Sequence, residues 1–179
     1  MTLPAGFQEV TPSNLPRNFI HSLAEEIGKK INYNPHHHSE LSNIVEKRLG
    51  GRVVQKNFWL CDDYGSIQIR SEGDFTIYLP DDATPERDRF TIAHELGHYI
   101  LHYIWPIKKH SVTPVPACAS RYGSDKAEWE ANWFAAAFLM PKQLFSDAWT
   151  SAQDPLIEVS SAFGVSRRAA EIRARALGL

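Results

Sequence analysis

The spacing of hydrophobic residues predicts two amphipathic helices in the first third of the chain, after a proline-punctuated amino-terminal arm. The first helix carries Phe19, Leu23, Ile27 and Ile31. The second helix carries Leu41, Ile44, Val45 and Leu49. Gly50-Gly51 follows the second series and predicts its end, because glycine readily takes the left-handed conformation that closes a helix. Both helices are expected to serve as scaffold.

A change to strand-like segments follows the two helices. Val53–Leu60, Ser66–Arg70 and Phe75–Leu79 read as strands separated by polar, glycine-containing turns. The short connections predict a small three-stranded antiparallel meander, and hence an α+β fold in which this sheet packs on a helical core. Because the last strand leads directly into the next helix, we expect a sheet edge beside that helix, where an extended peptide could add as a further strand.

A third helix is predicted between Thr84 and Trp105. Thr84 is a suitable N-cap, Pro85 suits the first helical position, and Pro106 predicts the end of the helix. Its apolar face consists of Phe90, Ala93, Gly97, Ile100, Leu101 and Ile104. This face predicts a buried helix.

The remainder of the chain is predicted to be helical after one long loop. Residues 106–124 contain three prolines and are expected to overhang the functional site. The following helix begins near Asp125 and ends at Met140 before Pro141, and a short helix covers Lys142–Trp149. The tail, residues 155–179, predicts a helix, a turn at Gly164, an N-cap at Ser166 and a last helix that ends at Leu177-Gly178.

The 179-residue length suits a single domain, with an arm and scaffold helices in 1–51, a sheet and site helices in 52–149, and a tail in 155–179. The net charge of -2 does not favour a general nucleic-acid binder. No targeting or membrane-spanning pattern is visible, so we expect a cytoplasmic protein. Cys61 and Cys118 lack the spacing of a zinc site or a disulfide framework and are read as ordinary thiols.

The third helix contains the pattern H-E-x-x-H, from His94 to His98. Histidines four residues apart lie one turn apart on one helix face, so both imidazoles can bind one zinc ion. Glu95 is then placed to take a proton from a water molecule and pass it to the leaving amine, as general base and acid. Two imidazoles with one carboxylate favour Zn²⁺ over manganese.

A catalytic zinc site needs a third protein ligand. His102 lies about 12 Å along the helix axis from His94, too far to share the ion, and is expected to support the ligands from behind. Ile104 stands where a metzincin would carry its third histidine. Glu128 is the preferred ligand because it shares a helix face with Asn132, whose amide could hold a ligating histidine. The alternatives are Glu130 as the ligand, or a capping role for Glu128 with Asp125.

The chain resembles the ImmA/IrrE family of zinc metallopeptidases over roughly residues 53–179. The resemblance lies in residues 89–102, residues 128–141, the segment Phe163–Ser166 and the closing residues 175–179. It implies His94, His98 and Glu128 as zinc ligands and Glu95 as the catalytic acid and base, with Asn132 where relatives carry Asn or Asp. It also implies a regulatory protease that acts on a helix-turn-helix repressor and so controls stress-response or mobile-element genes.

Several features leave alternatives open. Ala162–Arg168 also reads as the turn of a helix-turn-helix, so a DNA-binding regulator or a sensor with a non-catalytic metal site is the alternative function. Its basic residues would be Arg167, Arg168, Arg173 and Arg175. His36-His37-His38 is read as a solvated loop, and Trp129 and Trp133 as core or groove lining. The donor to a tetrahedral oxyanion is left open among Tyr99, His102, Tyr103, His110 and Tyr122.

Overall fold

A computed structural model describes residues 3–38, 41–56, 66–119 and 125–179, with the backbone alone at position 125. The α-helices are α1 (Arg17–Lys30), α2 (Leu41–Arg48), α3 (Pro85–Gly97), α4 (Trp105–His110), α5 (Asp125–Leu139), α6 (Lys142–Ser151), α7 (Pro155–Phe163) and α8 (Arg167–Leu177). The strands are β1 (Gln8–Glu9), β2 (Arg52–Lys56), β3 (Ile67–Ser71), β4 (Asp74–Pro80) and β5 (Ala117–Ala119). Four predicted features lie outside the described residues: the end of the first predicted strand, the turn at 61–65, Cys61 and Tyr122.

The helices predicted from hydrophobic spacing are confirmed to within a few residues. Thr84 caps α3 through a hydrogen bond that its side chain accepts from the Arg87 amide, with Pro85 in the first turn. Ser166 caps α8 in the same way by accepting from the Ala169 amide at 3.1 Å. Gly164 ends α7 in the left-handed conformation, at φ 56°. These local signals act within one turn of the helix, which explains their predictive value.

The predicted three-stranded antiparallel meander is wrong, because the sheet formed by the described residues is mixed and has five strands in the order β1-β5-β3-β4-β2. The antiparallel pairing of β3 with β4 is as predicted. However, β2 pairs in parallel with β4 instead of with its neighbour in sequence, in the register Val53 opposite Ile77. A parallel pairing joins strands that are not connected by a tight turn, so local turn signals could not reveal it.

The predicted overhanging loop at 106–124 is also partly wrong. Its first residues continue as helix α4, and Ala117–Ala119 form strand β5 in the interior of the sheet. There β5 pairs with β3 on one side and with β1 of the amino-terminal arm on the other. With three and two residues, β5 and β1 are too short to show the alternation that identifies a strand. The arm is thereby attached to the sheet.

Helix α3 does not end before Pro106 but continues through a π-helical segment, His98–Ile104, into α4. The amide of Trp105 donates to the Ile100 carbonyl, five residues earlier, as a π-helix requires. Pro106 occupies the first turn of α4, directly after this change of hydrogen-bond pattern. The predicted end at Pro106 fails because the helix changes its hydrogen-bond pattern just before the proline.

Helices α3 and α5 cross with their backbones in contact at Gly97. A β-carbon at Gly97 would lie 3.0 Å from the Ala131 Cα atom and 3.1 Å from the Ala131 carbonyl oxygen. Beside this crossing, Ala135 and Phe134 of α5 and Ala93 and Leu96 of α3 are buried in the hydrophobic core. The close approach therefore brings the polar residues that flank Gly97 within reach of α5.

No helix in the described part of the chain is long and apolar enough to cross a membrane.

Replacement of Gly97 tests the importance of this crossing. We expect Gly97→Ala to lower the melting temperature, because overpacking costs about 1–3 kcal/mol and here meets backbone atoms that cannot rotate away. The matched control is Gly28→Ala in α1, where the nearest atom to the new β-carbon is 3.7 Å away. That variant should gain about 0.5–1 kcal/mol. Equal melting temperatures for the two variants would contradict the account.

Candidate metal centre

Three side chains from α3, the π-helical segment and α5 converge at one point. The Nε2 atoms of His94 and His98 are 3.0 Å apart. Glu128 reaches both, with one carboxylate oxygen 3.2 Å from His94 Nε2 and the other 3.2 Å from His98 Nε2. Among the residues that the structure describes, these three form the one cluster whose ligand atoms could hold a metal ion together.

The size and chemistry of this cluster fit zinc. Tetrahedral bonds of roughly 2.1 Å place neighbouring ligand atoms about 3.4 Å apart. This is close to the 3.0 Å between the two Nε2 atoms and the 3.2 Å from each Nε2 atom to its nearest Glu128 oxygen. Two imidazoles and one carboxylate leave a fourth position for water, which is the arrangement of a catalytic site. The cluster is also accessible: the side chain of Glu128 is 29% exposed and that of His94 13% exposed, whereas that of His98 is buried.

The outer nitrogen of His94 is held from α5. The Nδ1 atom lies 3.1 Å from the Asn132 side-chain oxygen, one helical turn beyond Glu128. When Nδ1 donates its proton to this oxygen, the Nε2 lone pair points towards the cluster. The structure thus brings Glu128 and Asn132 to the two nitrogens of one imidazole, the pairing that the shared helix face suggested.

The outer nitrogen of His98 is held by a second buried imidazole. His98 Nδ1 lies 3.0 Å from His102 Nδ1, and His102 Nε2 lies 3.0 Å from an oxygen of Glu130. All three side chains are buried. His102 is therefore placed behind the cluster and not in it.

Glu130, the alternative third ligand, points away from the cluster. In addition to its contact with His102, the Glu130 carboxylate accepts hydrogen bonds from the backbone amides of Ser13 and Asn14, at 2.7 and 2.9 Å. The Ser13 hydroxyl donates a further bond at 2.7 Å. The sequence did not indicate this arrangement, since 117 residues separate Ser13 from Glu130 and no local pattern connects them.

Electrostatic effects at the cluster favour a bound cation. Burial lowers the pKa of His98 to about 4. Burial also lowers the pKa of His94, but the hydrogen bond with Glu128 and the charge of Glu95 outweigh it and raise this pKa. Burial raises the pKa of Glu128, yet the hydrogen bonds from His94 and His98 outweigh it and hold this pKa well below its ordinary range. Glu128 therefore stays ionised beside a position that attracts positive charge.

Glu95 is buried and lines the same open cavity, of about 360 Å³, as His94 and Glu128. The other lining residues are Ser66, Tyr78, Pro80, Arg87, Phe90, Thr91, His94, Glu128 and Asn132. Arg87 and Thr91 are not among the residues predicted for the site, although they precede His94 by two turns and one turn on the same helix face. A helical projection of α3 would have identified them.

Of the residues predicted as oxyanion donors, those that the structure describes do not line the metal-site cavity. The Tyr99 hydroxyl accepts a hydrogen bond from the Gly73 amide at 2.9 Å, and His102 is engaged behind His98. Tyr103 lines a different cavity beside the arm, and His110 lies at the exposed end of α4. Tyr78 and Arg87 line the metal-site cavity instead, with a phenol hydroxyl and a guanidinium group.

An apolar groove of about 510 Å³ adjoins the metal-site cavity, and both are lined by Phe90 and Asn132. Trp129 and Trp133 line this groove, which confirms the groove-lining interpretation, and the guanidinium of Arg17 lies 5.6 Å from the Trp133 ring centroid. His21 also lines it, with its Nε2 atom buried and without a hydrogen-bond partner among the described residues.

The arginines of the helix-turn-helix-like tail are mostly engaged within the protein. Arg173 is buried and donates to the Met140 carbonyl at 2.9 Å. Arg168 and Arg175 both pair with Glu171. Burial withdraws Arg173 from any DNA surface, and Glu171 offsets one of the positive charges that α8 exposes.

The histidine triplet is exposed and does not form a second metal cluster among the described residues. His36 Nδ1 and His38 Nε2 both contact the Ala162 carbonyl, at 3.0 and 2.9 Å. The interpretation as a solvated loop is confirmed.

Residues 47–175 match the family model described as the IrrE N-terminal-like domain, a peptidase family. Over 100 residues, the chain is 29% identical to the metallopeptidase ImmA of Bacillus subtilis strain 168, covering 53% of this chain and 54% of that protein. The chain thus spans about half the length of this curated relative. A Mycobacterium tuberculosis transcriptional regulator has a similar fold, with a TM-score of 0.54 and 17% identity over 88% of this chain and 46% of that one.

Asn132 variants test how His94 is held. We expect Asn132→Leu to weaken Zn²⁺ binding about 10- to 100-fold, because the Nδ1 proton loses its acceptor. Asn132→Asp keeps an acceptor and should retain near wild-type affinity. Titration against a chromophoric chelator measures both constants. Equal affinities for the two variants would show that the contact does not orient the ring.

His21 provides a pH test of the groove. Burial, with smaller contributions from Arg173 and Arg17, lowers its pKa from 6.5 to about 4. Between these values the unfolded chain binds a proton at His21 that the folded protein does not, so the free energy of unfolding falls as pH falls. We expect His21→Leu to reduce this slope in urea denaturation between pH 6.5 and 4. If the free energy of unfolding of His21→Leu depends on pH as in the wild type, the lowered pKa of His21 is contradicted.

Proposed function

This chain belongs to the IrrE N-terminal-like family of peptidases, and from that premise we propose that it is a zinc-dependent metalloprotease. The relationship to a named metallopeptidase supports metal-dependent peptide hydrolysis. The observation that carries the proposal is the convergence of His94, His98 and Glu128, whose ligand atoms all lie within 4.8 Å of one another.

In this proposal His94, His98 and Glu128 are the zinc ligands. Asn132 and His102 hold the outer nitrogens of the two imidazoles, so that both Nε2 lone pairs face the same point. A bound zinc ion would supply Lewis-acid polarisation of a water molecule and of the scissile carbonyl.

Glu95 is the proposed catalytic residue. It follows His94 on α3 and lines the cavity together with His94 and Glu128. The carboxylate takes a proton from the attacking water, which becomes the nucleophile at the peptide carbonyl, and then gives that proton to the departing amine. The C–N bond breaks as the amine leaves, and Glu95 returns to its carboxylate form. The Arg87 guanidinium, in the same cavity, is a candidate donor to the oxyanion.

The proposed substrate is an extended peptide segment of a protein. Tyr78 and Pro80 of β4 line the cavity, and edge strand β2 pairs with β4 at these residues. Strand β2 lies one strand spacing, roughly 4.8 Å, from β4, at the end of the sheet in the described residues. A peptide added along the outer edge of β2 would extend the sheet whose strand β4 lines the cavity. The resemblance to ImmA/IrrE proteases supports a helix-turn-helix repressor as the protein cleaved, and hence a role in gene regulation and stress response.

Two substitutions separate metal binding from hydrolysis. We expect Glu95→Gln to retain zinc and to lose cleavage of the repressor encoded nearest its gene, because the amide cannot accept the water proton. Glu128→Ala should lose zinc and cleavage together, because it removes the third ligand. Metal analysis and gel electrophoresis of the repressor give the two readouts.

Exposed Glu26 on α1 supplies the matched controls, Glu26→Gln and Glu26→Ala, which should retain both zinc and cleavage. Full zinc occupancy in Glu128→Ala would refute the assignment of the third ligand. Cleavage that survives Glu95→Gln would refute the mechanism.

A further inference from the structure

Glu130 is a buried carboxylate with a complete set of donors. One oxygen accepts from the Asn14 amide, and the other accepts from the Ser13 amide, the Ser13 hydroxyl and His102 Nε2. A buried carboxylate without such partners would be strongly unfavourable, so these bonds hold it ionised and in one orientation. Of the four donors, the amino-terminal arm supplies three, and the imidazole that contacts His98 supplies the fourth.

The carboxylate determines which nitrogen of each imidazole carries a proton. A carboxylate only accepts, so His102 Nε2 must donate to Glu130. A neutral His102 then has an unprotonated Nδ1, which accepts from His98 Nδ1 across 3.0 Å. His98 is left with its lone pair on Nε2, the atom that faces His94 and Glu128. When His102 is neutral, the direction of both hydrogen bonds between Glu130 and His98 thus follows from the charge of Glu130.

The arm is well placed to fix that charge. Its strand β1 pairs with β5, and the Val10 amide donates to the Cys118 carbonyl at 3.1 Å. At Asn14 the backbone takes a left-handed conformation, with φ 58°, that directs the amide to Glu130. Residues Gln8 to Thr11 line a cavity with His102 and Tyr103. The arm therefore packs against the rear of the metal centre.

We propose that Glu130 is a positioning residue, anchored by Ser13 and Asn14 of the amino-terminal arm, that acts through His102 to hold His98 in its metal-binding tautomer. The inference rests on the proposed metal centre and extends it to a segment more than 100 residues away in sequence. The arm becomes a component of the metal centre, and its attachment sets the affinity for the ion.

The tautomers of the zinc-loaded wild-type protein test the proposal directly. Long-range ¹H–¹⁵N NMR correlations should show His102 protonated at Nε2 and His98 protonated at Nδ1. A proton on Nδ1 of His102 instead would reverse the chain of hydrogen bonds and overturn the proposal. This measurement needs no substitution and is independent of catalysis.

Two substitutions at one arm position then test the anchor. Asn14→Pro removes the amide donor and cannot adopt a positive φ, whereas Asn14→Gly keeps the amide and tolerates that conformation. We expect Asn14→Pro to weaken Zn²⁺ binding about 10-fold or more, measured against a chromophoric chelator, and Asn14→Gly to match the wild type. Equal affinities for the two variants would show that the arm does not contribute.

Glu130→Gln tests the charge itself. The amide group can donate where the carboxylate only accepts, so His102 can reverse and place the His98 proton on Nε2. Zinc affinity should fall about 10- to 100-fold, with the reversed tautomers visible by NMR. Wild-type affinity in this variant would overturn the proposal, and so would weaker binding with unchanged tautomers. If the wild type itself binds no zinc, the proposed function fails; if it binds zinc and only these variants behave as wild type, this inference alone fails.

Discussion

The close contact between Gly97 and Ala131 determines the geometry of the whole centre. Because Gly97 has no side chain, α3 approaches α5 until a β-carbon would lie 3.0 Å from the Ala131 Cα atom. Both histidines flank this point on one helix, and Glu128 lies one turn before Ala131 on the other. The 3.2 Å separations between Glu128 and the imidazoles follow from this approach. A larger residue at position 97 would separate the carboxylate from the histidines.

The two histidines occupy different environments around this crossing. His94 faces the open cavity and is held by Asn132, which belongs to the same helix as Glu128. His98 is buried and is held by His102 and Glu130, whose carboxylate is fixed by the arm. Substrate would therefore enter from the His94 side. Support for the centre comes from behind His98, through polar groups that are all paired and that resist displacement.

The sequence predicts those parts of the structure that depend on neighbouring residues. The caps at Thr84 and Ser166 act within one helical turn, and the spacing of His94 and His98 places both on one face of a helix. Glu128 and Asn132 could be selected because they share a face of a second helix. The contact of Ser13 with Glu130 and the parallel pairing of β2 with β4 join distant segments, so no local pattern indicates them. Pro106 was misleading because a π-helical segment precedes it.

The central claim is that two imidazoles and one carboxylate from two crossing helices bind one zinc ion. Extended X-ray absorption fine structure at the zinc K-edge of the wild-type protein tests it most directly. The account predicts a first shell of nitrogen and oxygen atoms at about 2.0–2.2 Å, with outer-shell scattering from two imidazoles. A sulfur ligand at about 2.3 Å, or scattering from three imidazoles, would contradict it.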